Sequence, residues 1–148
     1  MDNEMVNELN GLLKGEQMAV DAYERYIQSV EDSNVKKELQ SIQIEHKSHA
    51  SIIAERIQTL GGKPENNTGF SGFMATAKAT IQSVGQKDSV EILKQAYEGE
   101  YKGIAMAEEL VKGDLDDDSA NLVKKVLSVD QEHLKKMEGM IDGLENAH

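Results

Sequence analysis

An all-α fold, with four helices packed as a bundle, is predicted by three observations in the amino-acid sequence. Ala, Leu, Glu, Lys, Gln and Met are plentiful, while the 148 residues include one proline and only 4% aromatics. Such straight-chain residues lose little rotamer freedom in a helix. Apolar residues recur at alternating spacings of three and four along four long segments. The second half of the chain also repeats the apolar pattern of the first.

The first segment, about 4–30, carries the seam Val6, Leu9, Leu13, Glu16, Val20, Tyr23, Ile27 and Val30. One member is a carboxylate. The second begins after Ser33, which is expected to cap it, and reads Leu39, Ile42, His46, His49, Ile53 and Leu60 before Gly61, Gly62 and Pro64 stop it. The third, about 89–112, reads Val90, Leu93, Tyr97, Glu100, Ile104, Ala107 and Val111, ending at Gly113 and an acidic run. The fourth starts near Ser119 and reads Val123, Val126, Asp130, His133, Met137, Met140 and Leu144.

The repeat has an offset of 84 residues: Leu9 matches Leu93, Glu16 matches Glu100, Leu39 matches Val123, His49 matches His133 and Leu60 matches Leu144. The seam recurs and the surface does not, as expected of a duplicated helical hairpin in which packing constrains the inward face alone. Short turns at about 31–33 and 113–119 make each hairpin antiparallel. Residues 61–87 are too many for a turn and suit a crossover running the length of a helix of roughly 25 residues. Within them, 71–81 is predicted to form a short helix capped by Ser71. Phe70, Phe73 and Met74 at its start would cover the bundle or meet a partner. The expected organisation is one domain over 1–148, with hairpins at about 4–60 and 88–145, and the chain is long enough for a real core.

Composition excludes several function classes. Without cysteine there is no disulfide framework, no thiolate metal site and no cysteine nucleophile. The balance of 16 basic against 27 acidic residues, a net of −11, repels phosphate backbones and anionic membrane surfaces. Nucleic acid and membrane are therefore not expected partners. The first residues lack a basic and apolar leader pattern, and no stretch approaches the length of an apolar span. The expectation is a soluble, cytoplasmic protein.

The polar residues that interrupt the seams all fall near mid-helix: Glu16, His46 with His49, Glu100, and Asp130 with His133. In a bundle of equal-length helices they meet in one central layer. Three of the four histidines lie there. Burying three carboxylates together is costly unless positive charge neutralises them. A pair of metal ions would do so, and oxygen and imidazole donors without sulfur suit iron, manganese or zinc. The i, i+3 spacing of the second and fourth helices puts both donors on one face. The competing reading is a hydrogen-bonded polar layer, which is the commoner role of an isolated buried histidine.

These residues carry a resemblance. Glu, then a paired motif on the next helix, then Glu, then Asp-x-x-His resembles the ferritin-like superfamily of di-iron carboxylate proteins, whose pattern is one Glu from each of two helices and Glu-x-x-His from the other two. The Gly-Glu pairs of the first and third helices, the Leu60-Gly61-Gly62 stop and the crossover look like small bacterial ferritin-like proteins of unassigned function, and more distantly like rubrerythrin and bacterioferritin. The resemblance implies a ferritin-like bundle with terminal carboxylates Glu16 and Glu100, imidazole ligands His49 and His133, and bridging Asp130. It also implies two iron ions, with manganese or zinc as alternatives, and iron oxidation or removal of peroxide or oxygen.

Two departures stand out. Asp130 is one methylene shorter than the usual Glu, and His46 stands where the other bridging Glu belongs. The second change leaves about −3 from the protein ligands against +4 for two divalent ions. His46 would serve as a second imidazole ligand or as a proton donor. Glu45, an i, i+4 step from His49, is a candidate ligand or acceptor for an imidazole N–H. Tyr23 and Tyr97 lie near the glutamates and are expected chiefly to pack, each with one satisfied hydroxyl; Met137 and Met140 are core fillers. With no cysteine, electrons would come from a separate donor or from incoming Fe(II). A reading from another class is a non-catalytic metal-binding bundle serving as a structural or interaction protein. A homodimer is the expected assembly, as the commonest closed symmetry.

Overall fold

The computed structural model describes residues 3–65 and 88–146. They form four helices, α1 (Asn3–Ser29), α2 (Ser33–Thr59), α3 (Ser89–Val111) and α4 (Asp117–Asn146), as the seams predict. The crossover helix predicted over 71–81 lies outside the described residues. Among those described, no helix is long and apolar enough to cross a membrane.

Two helix starts differ from the sequence reading. The cap of α2 is Asp32, not Ser33: Asp32 is extended, and its carboxylate accepts from the Asn34 and Val35 amides at 2.9 and 3.0 Å. A carboxylate beside the positive end of the helix is favoured by both hydrogen bonding and the helix dipole. The last helix starts two residues before Ser119. There Asp116 accepts from the Ser119 amide at 2.8 Å, while Arg56 of α2 donates to Asp116 at 2.9 Å and to the Ser119 hydroxyl at 2.9 Å. The buried Ser119 is thus held by its neighbour helix. Asp88 caps α3 through the Glu91 amide at 2.9 Å.

At the other end of α2, Gly61 adopts φ 84°, and the Gly61 and Gly62 amides close onto the Gln58 and Ile57 carbonyls at 3.0 and 2.9 Å. This left-handed turn is the reason for glycine at 61. Gly62 has a different reason. A Cβ there would lie 2.7 Å from Val6 Cγ1 and 3.2 Å from Ile57 Cγ2. Gly62→Ala is expected to cost about 1–3 kcal/mol by overpacking, because branched valine has little freedom to yield. Urea unfolding should show the loss, and Val6→Ala in the same chain should recover part of it. Beyond the turn, the buried Asn10 side chain accepts from the Glu65 amide at 2.8 Å and donates to the Lys63 carbonyl at 3.1 Å, tying this segment to α1.

Packing is more extensive within the pairs α1–α2 and α3–α4 than between α1 and α3 or α2 and α4. Two apolar clusters fill the interior. One holds Leu9, Leu13, Ile53, Ile57, Val123 and Leu127, and the other Tyr23, Ile27, Leu39, Ile42, Leu93 and Met137. Between them, all six interrupting residues are buried: Glu16, His46, His49, Glu100, Asp130 and His133.

Candidate metal centre

Each helix delivers its polar side chains to this layer because they occupy seam positions, and the apolar residues above and below fix the helices around them. His46 lies at the middle. Its Nδ1 is 2.6 Å from Glu16 Oε2, and its Nε2 makes a still shorter contact with Glu100 Oε1. His49 Nδ1 faces Glu16 Oε1 at 3.7 Å and Asp130 Oδ1 at 3.6 Å. On the other side, His133 Nδ1 faces Glu100 Oε2 and Asp130 Oδ1, each at 3.5 Å. The donors therefore fall into two sets, Glu16, His46, His49 and Asp130, and His46, Glu100, Asp130 and His133, with ligand atoms in each set within 4.8 Å of one another.

Electrostatics follow from this crowding. Burial alone works against charge on His46, but hydrogen bonds to Glu100 and Glu16 outweigh it and raise the ring to about 11. Burial pushes Glu100 upward, yet the facing His133 and His46 imidazoles bring it down to about 2. Glu16 is lowered as well, with burial opposed by His46 and His49. Asp130 goes the other way, to about 7, because burial and the charges of Glu100 and Glu16 all disfavour its ionised form. Of the three carboxylates in the layer, Asp130 is thus the one driven toward its neutral form.

The donor set fits metal ions by an independent observation. His49 Nδ1, Asp130 Oδ1 and His133 Nδ1 are buried with no hydrogen-bond partner among the described residues. Buried polar atoms are rarely left so. All three converge on the same centre, where a cation would satisfy them together.

Neighbouring groups orient this set. Tyr23 packs in the core as expected, and its hydroxyl donates to Glu100 Oε1 at 2.8 Å while its ring stacks on His46 with centroids 5.4 Å apart. Burial, followed by the Glu100 charge, raises the phenol well above its ordinary value, so it remains a donor. Met137 is wholly buried, a core filler as expected. Glu45 is an acceptor for an imidazole, but its partner is His133 rather than His49: His133 Nε2 lies 2.9 Å from Glu45 Oε1. The contact crosses from α2 to α4, so i, i+4 spacing within α2 was blind to it. A carboxylate on Nε2 would, with a cation at the centre, favour the tautomer that leaves the Nδ1 lone pair free to meet it. Glu45→Leu is expected to release that tautomer, read as an altered ring-nitrogen chemical shift of His133 by NMR. Glu45→Gln, which keeps an acceptor, should preserve it.

Among the described residues, two hollows lead toward the layer. Between α1 and α3, a cavity of about 340 Å³ walled by Gly15, Ala19, Ala22, Ala96, Gly99 and Gly103 extends to Glu16, His46, Glu100 and Asp130. Between α2 and α4, a hollow of about 280 Å³ is lined by Glu45, Ser48, His49, Lys125 and Val126.

The fold is the ferritin-like four-helix bundle, and its buried carboxylate–imidazole layer suits metal ions. Solved structures share it. A bacterioferritin-related protein of Bacteroides fragilis, described as a dodecameric thioferritin, superposes with a TM-score of 0.79 at 21% identity, over 99% of this chain and 90% of that one. The bacterioferritin of Desulfovibrio desulfuricans, described with a di-iron site, gives 0.76 at 21% identity over 97% and 81%. A ferritin-like di-iron carboxylate protein of Bacillus anthracis gives 0.70 at 22% identity over 95% and 99%. By sequence the chain matches none of the curated proteins. It belongs to the family DUF2383, described as a domain of unknown function, which matches residues 4–113.

Proposed function

We propose that the central layer holds two iron ions and that the protein acts in iron oxidation or in the removal of peroxide or oxygen. The observation that carries this reading is the convergence of three unpartnered buried donor atoms within two four-residue sets. Glu16 and His49 would hold one ion, and Glu100 and His133 the other, with His46 and Asp130 in reach of both. Iron held there would supply one-electron redox chemistry that the side chains lack. Manganese or zinc would suit the same oxygen and nitrogen donors.

The chain's own residues provide position, access and exclusion of water. Tyr23 fixes the Glu100 carboxylate, Glu45 fixes the His133 ring, and the two apolar clusters seal the layer above and below. The cavity between α1 and α3 would admit small molecules, and the α2–α4 hollow, lined by both Glu45 and Lys125, gives a second approach to His49. With no cysteine in the chain, reducing equivalents come from substrate Fe(II) or from a separate donor. As its assembly we take a symmetric homodimer in the cytoplasm, which light scattering distinguishes from a dodecamer of the kind described for the Bacteroides fragilis protein.

A second reading is favoured by His46 in place of a carboxylate: ions pin the bundle without turnover. One experiment separates the two. The protein is loaded anaerobically with Fe(II) beside His49→Ala/His133→Ala, its metal is counted by elemental analysis, and both are then exposed to peroxide. About two irons per chain, lost in the variant and rapidly oxidised in the wild type, are expected. Iron bound but not oxidised would favour the structural reading, and no bound metal of any kind in either protein would overturn both.

A further inference from the structure

The 84-residue repeat aligns His46 with Asp130, just as it aligns Glu16 with Glu100 and His49 with His133. Among the described residues, His46 and Asp130 are also the pair that belongs to both donor sets. The structure shows how each reaches two ways. Asp130 Oδ1 faces His49 Nδ1 at 3.6 Å and His133 Nδ1 at 3.5 Å. His46 presents Nδ1 to Glu16, on its own hairpin, and Nε2 to Glu100, on the other. A ring whose two nitrogens face opposite carboxylates occupies the position of a two-ended ligand, not of a terminal one.

We propose that His46 bridges the two ions as an imidazolate, its Nδ1 on the ion held with Glu16 and His49 and its Nε2 on the ion held with Glu100 and His133. This rests on reading the layer as a two-ion site. Both ring protons leave to solvent as the ions bind, as for other ligands that must be deprotonated. Charge then balances within the chain. Glu16, Glu100, Asp130 and the imidazolate supply four negative charges against four positive charges from two divalent ions. A neutral imidazole would supply only three and would offer a single lone pair.

The two kinds of bridge predict different metal separations. Metal–nitrogen bonds of about 2.0–2.1 Å on opposite edges of one ring hold the ions about 6 Å apart. Carboxylate-bridged or oxygen-bridged pairs stand about 3.5–4 Å apart.

Copper(II) is a suitable probe because it favours imidazole and its spins report on one another. The full-length chain is loaded with about two equivalents of Cu(II), the bound copper is counted by elemental analysis, and the separation and coupling are read by electron paramagnetic resonance and X-ray absorption. The expected result is two coppers about 6 Å apart whose exchange coupling disappears in His46→Gln. His46→Glu should shorten the separation to about 3.5–4 Å. Two coppers already at that shorter distance in the wild type, or coupling unchanged in His46→Gln, would overturn the bridge and leave the two-ion reading standing. Fewer than two coppers in the wild type would overturn the two-ion reading, and the bridge with it. The wild-type measurement alone decides the matter if a variant does not fold.

Discussion

Replacing His46 with leucine is expected to destabilise chelator-treated protein by about 3–5 kcal/mol, the cost of breaking a buried ion pair and leaving the other charge unpaired. In the wild type, Glu16 and Glu100 both lie against the His46 ring. Leucine fills similar space but removes the counter-charge, so two buried carboxylates confront each other. The pH dependence has a definite sign. The ring is raised from 6.5 to about 11 in the fold, so its stabilisation is complete below the lower value and is lost as pH rises through the upper one. Asp130, raised from 3.8 to about 7, also takes stability away as pH climbs between those values. Glu100, lowered from 4.5 to about 2, contributes fully above the higher value and loses its contribution as pH falls from there through the lower one. Chelated wild type should therefore weaken between about pH 7 and pH 11, and the leucine variant should lack most of that slope. Urea midpoints at about pH 6 and about pH 10 would check this. A variant as stable as wild type at about pH 6 would mean that the ring holds no charge between the carboxylates.

Leu9→Ala and Leu39→Ala are each expected to cost about 2–5 kcal/mol, because each side chain is wholly buried and its removal leaves a cavity that its neighbours only partly close. They belong to different apolar clusters on opposite sides of the polar layer. Leu9 and Tyr23, the latter in the cluster of Leu39, are separated on α1 by about 20 Å of helix rise. The double variant should therefore lose the sum of the single losses within about 0.5 kcal/mol. A much smaller combined loss would mean that the two ends communicate through the layer.

Much of this arrangement is legible in the seams. Spacings of three and four locate the helices, and mid-helix polar residues share a level because helices of similar length rise at the same rate. All six layer residues are indeed brought together. The single seam line is narrower than the buried stripe, however. Met5, Leu12 and Ile57 are buried though off that line, while Tyr97 on it is half-buried, at the edge of an outward-facing hollow with Lys94 and Tyr101. A bundle helix contacts two neighbours and buries a broader face than a two-stranded coil. Contacts between helices were less legible. Neither the Glu45–His133 hydrogen bond nor the clamp of Arg56 on Asp116 and Ser119 follows from spacing within one helix, because each depends on the rotation of two helices about their axes. The Asp32 cap lost to Ser33 in the sequence reading because adjacent residues of similar capping power are separated only by backbone geometry.

The uneven packing of the four helices bears on motion. Since α1–α2 and α3–α4 are the tighter pairs, the least densely packed plane among the described residues runs between the hairpins. That plane divides the central layer evenly, with Glu16, His46 and His49 on one side and Glu100, Asp130 and His133 on the other. Slow breathing along it would part the layer into two half-sites while every helix kept its backbone hydrogen bonds, the kind of sub-global opening that requires less free energy than unfolding. In such an opening the duplicated hairpin would be a unit of fluctuation as well as of sequence, with the donors placed where the two units part.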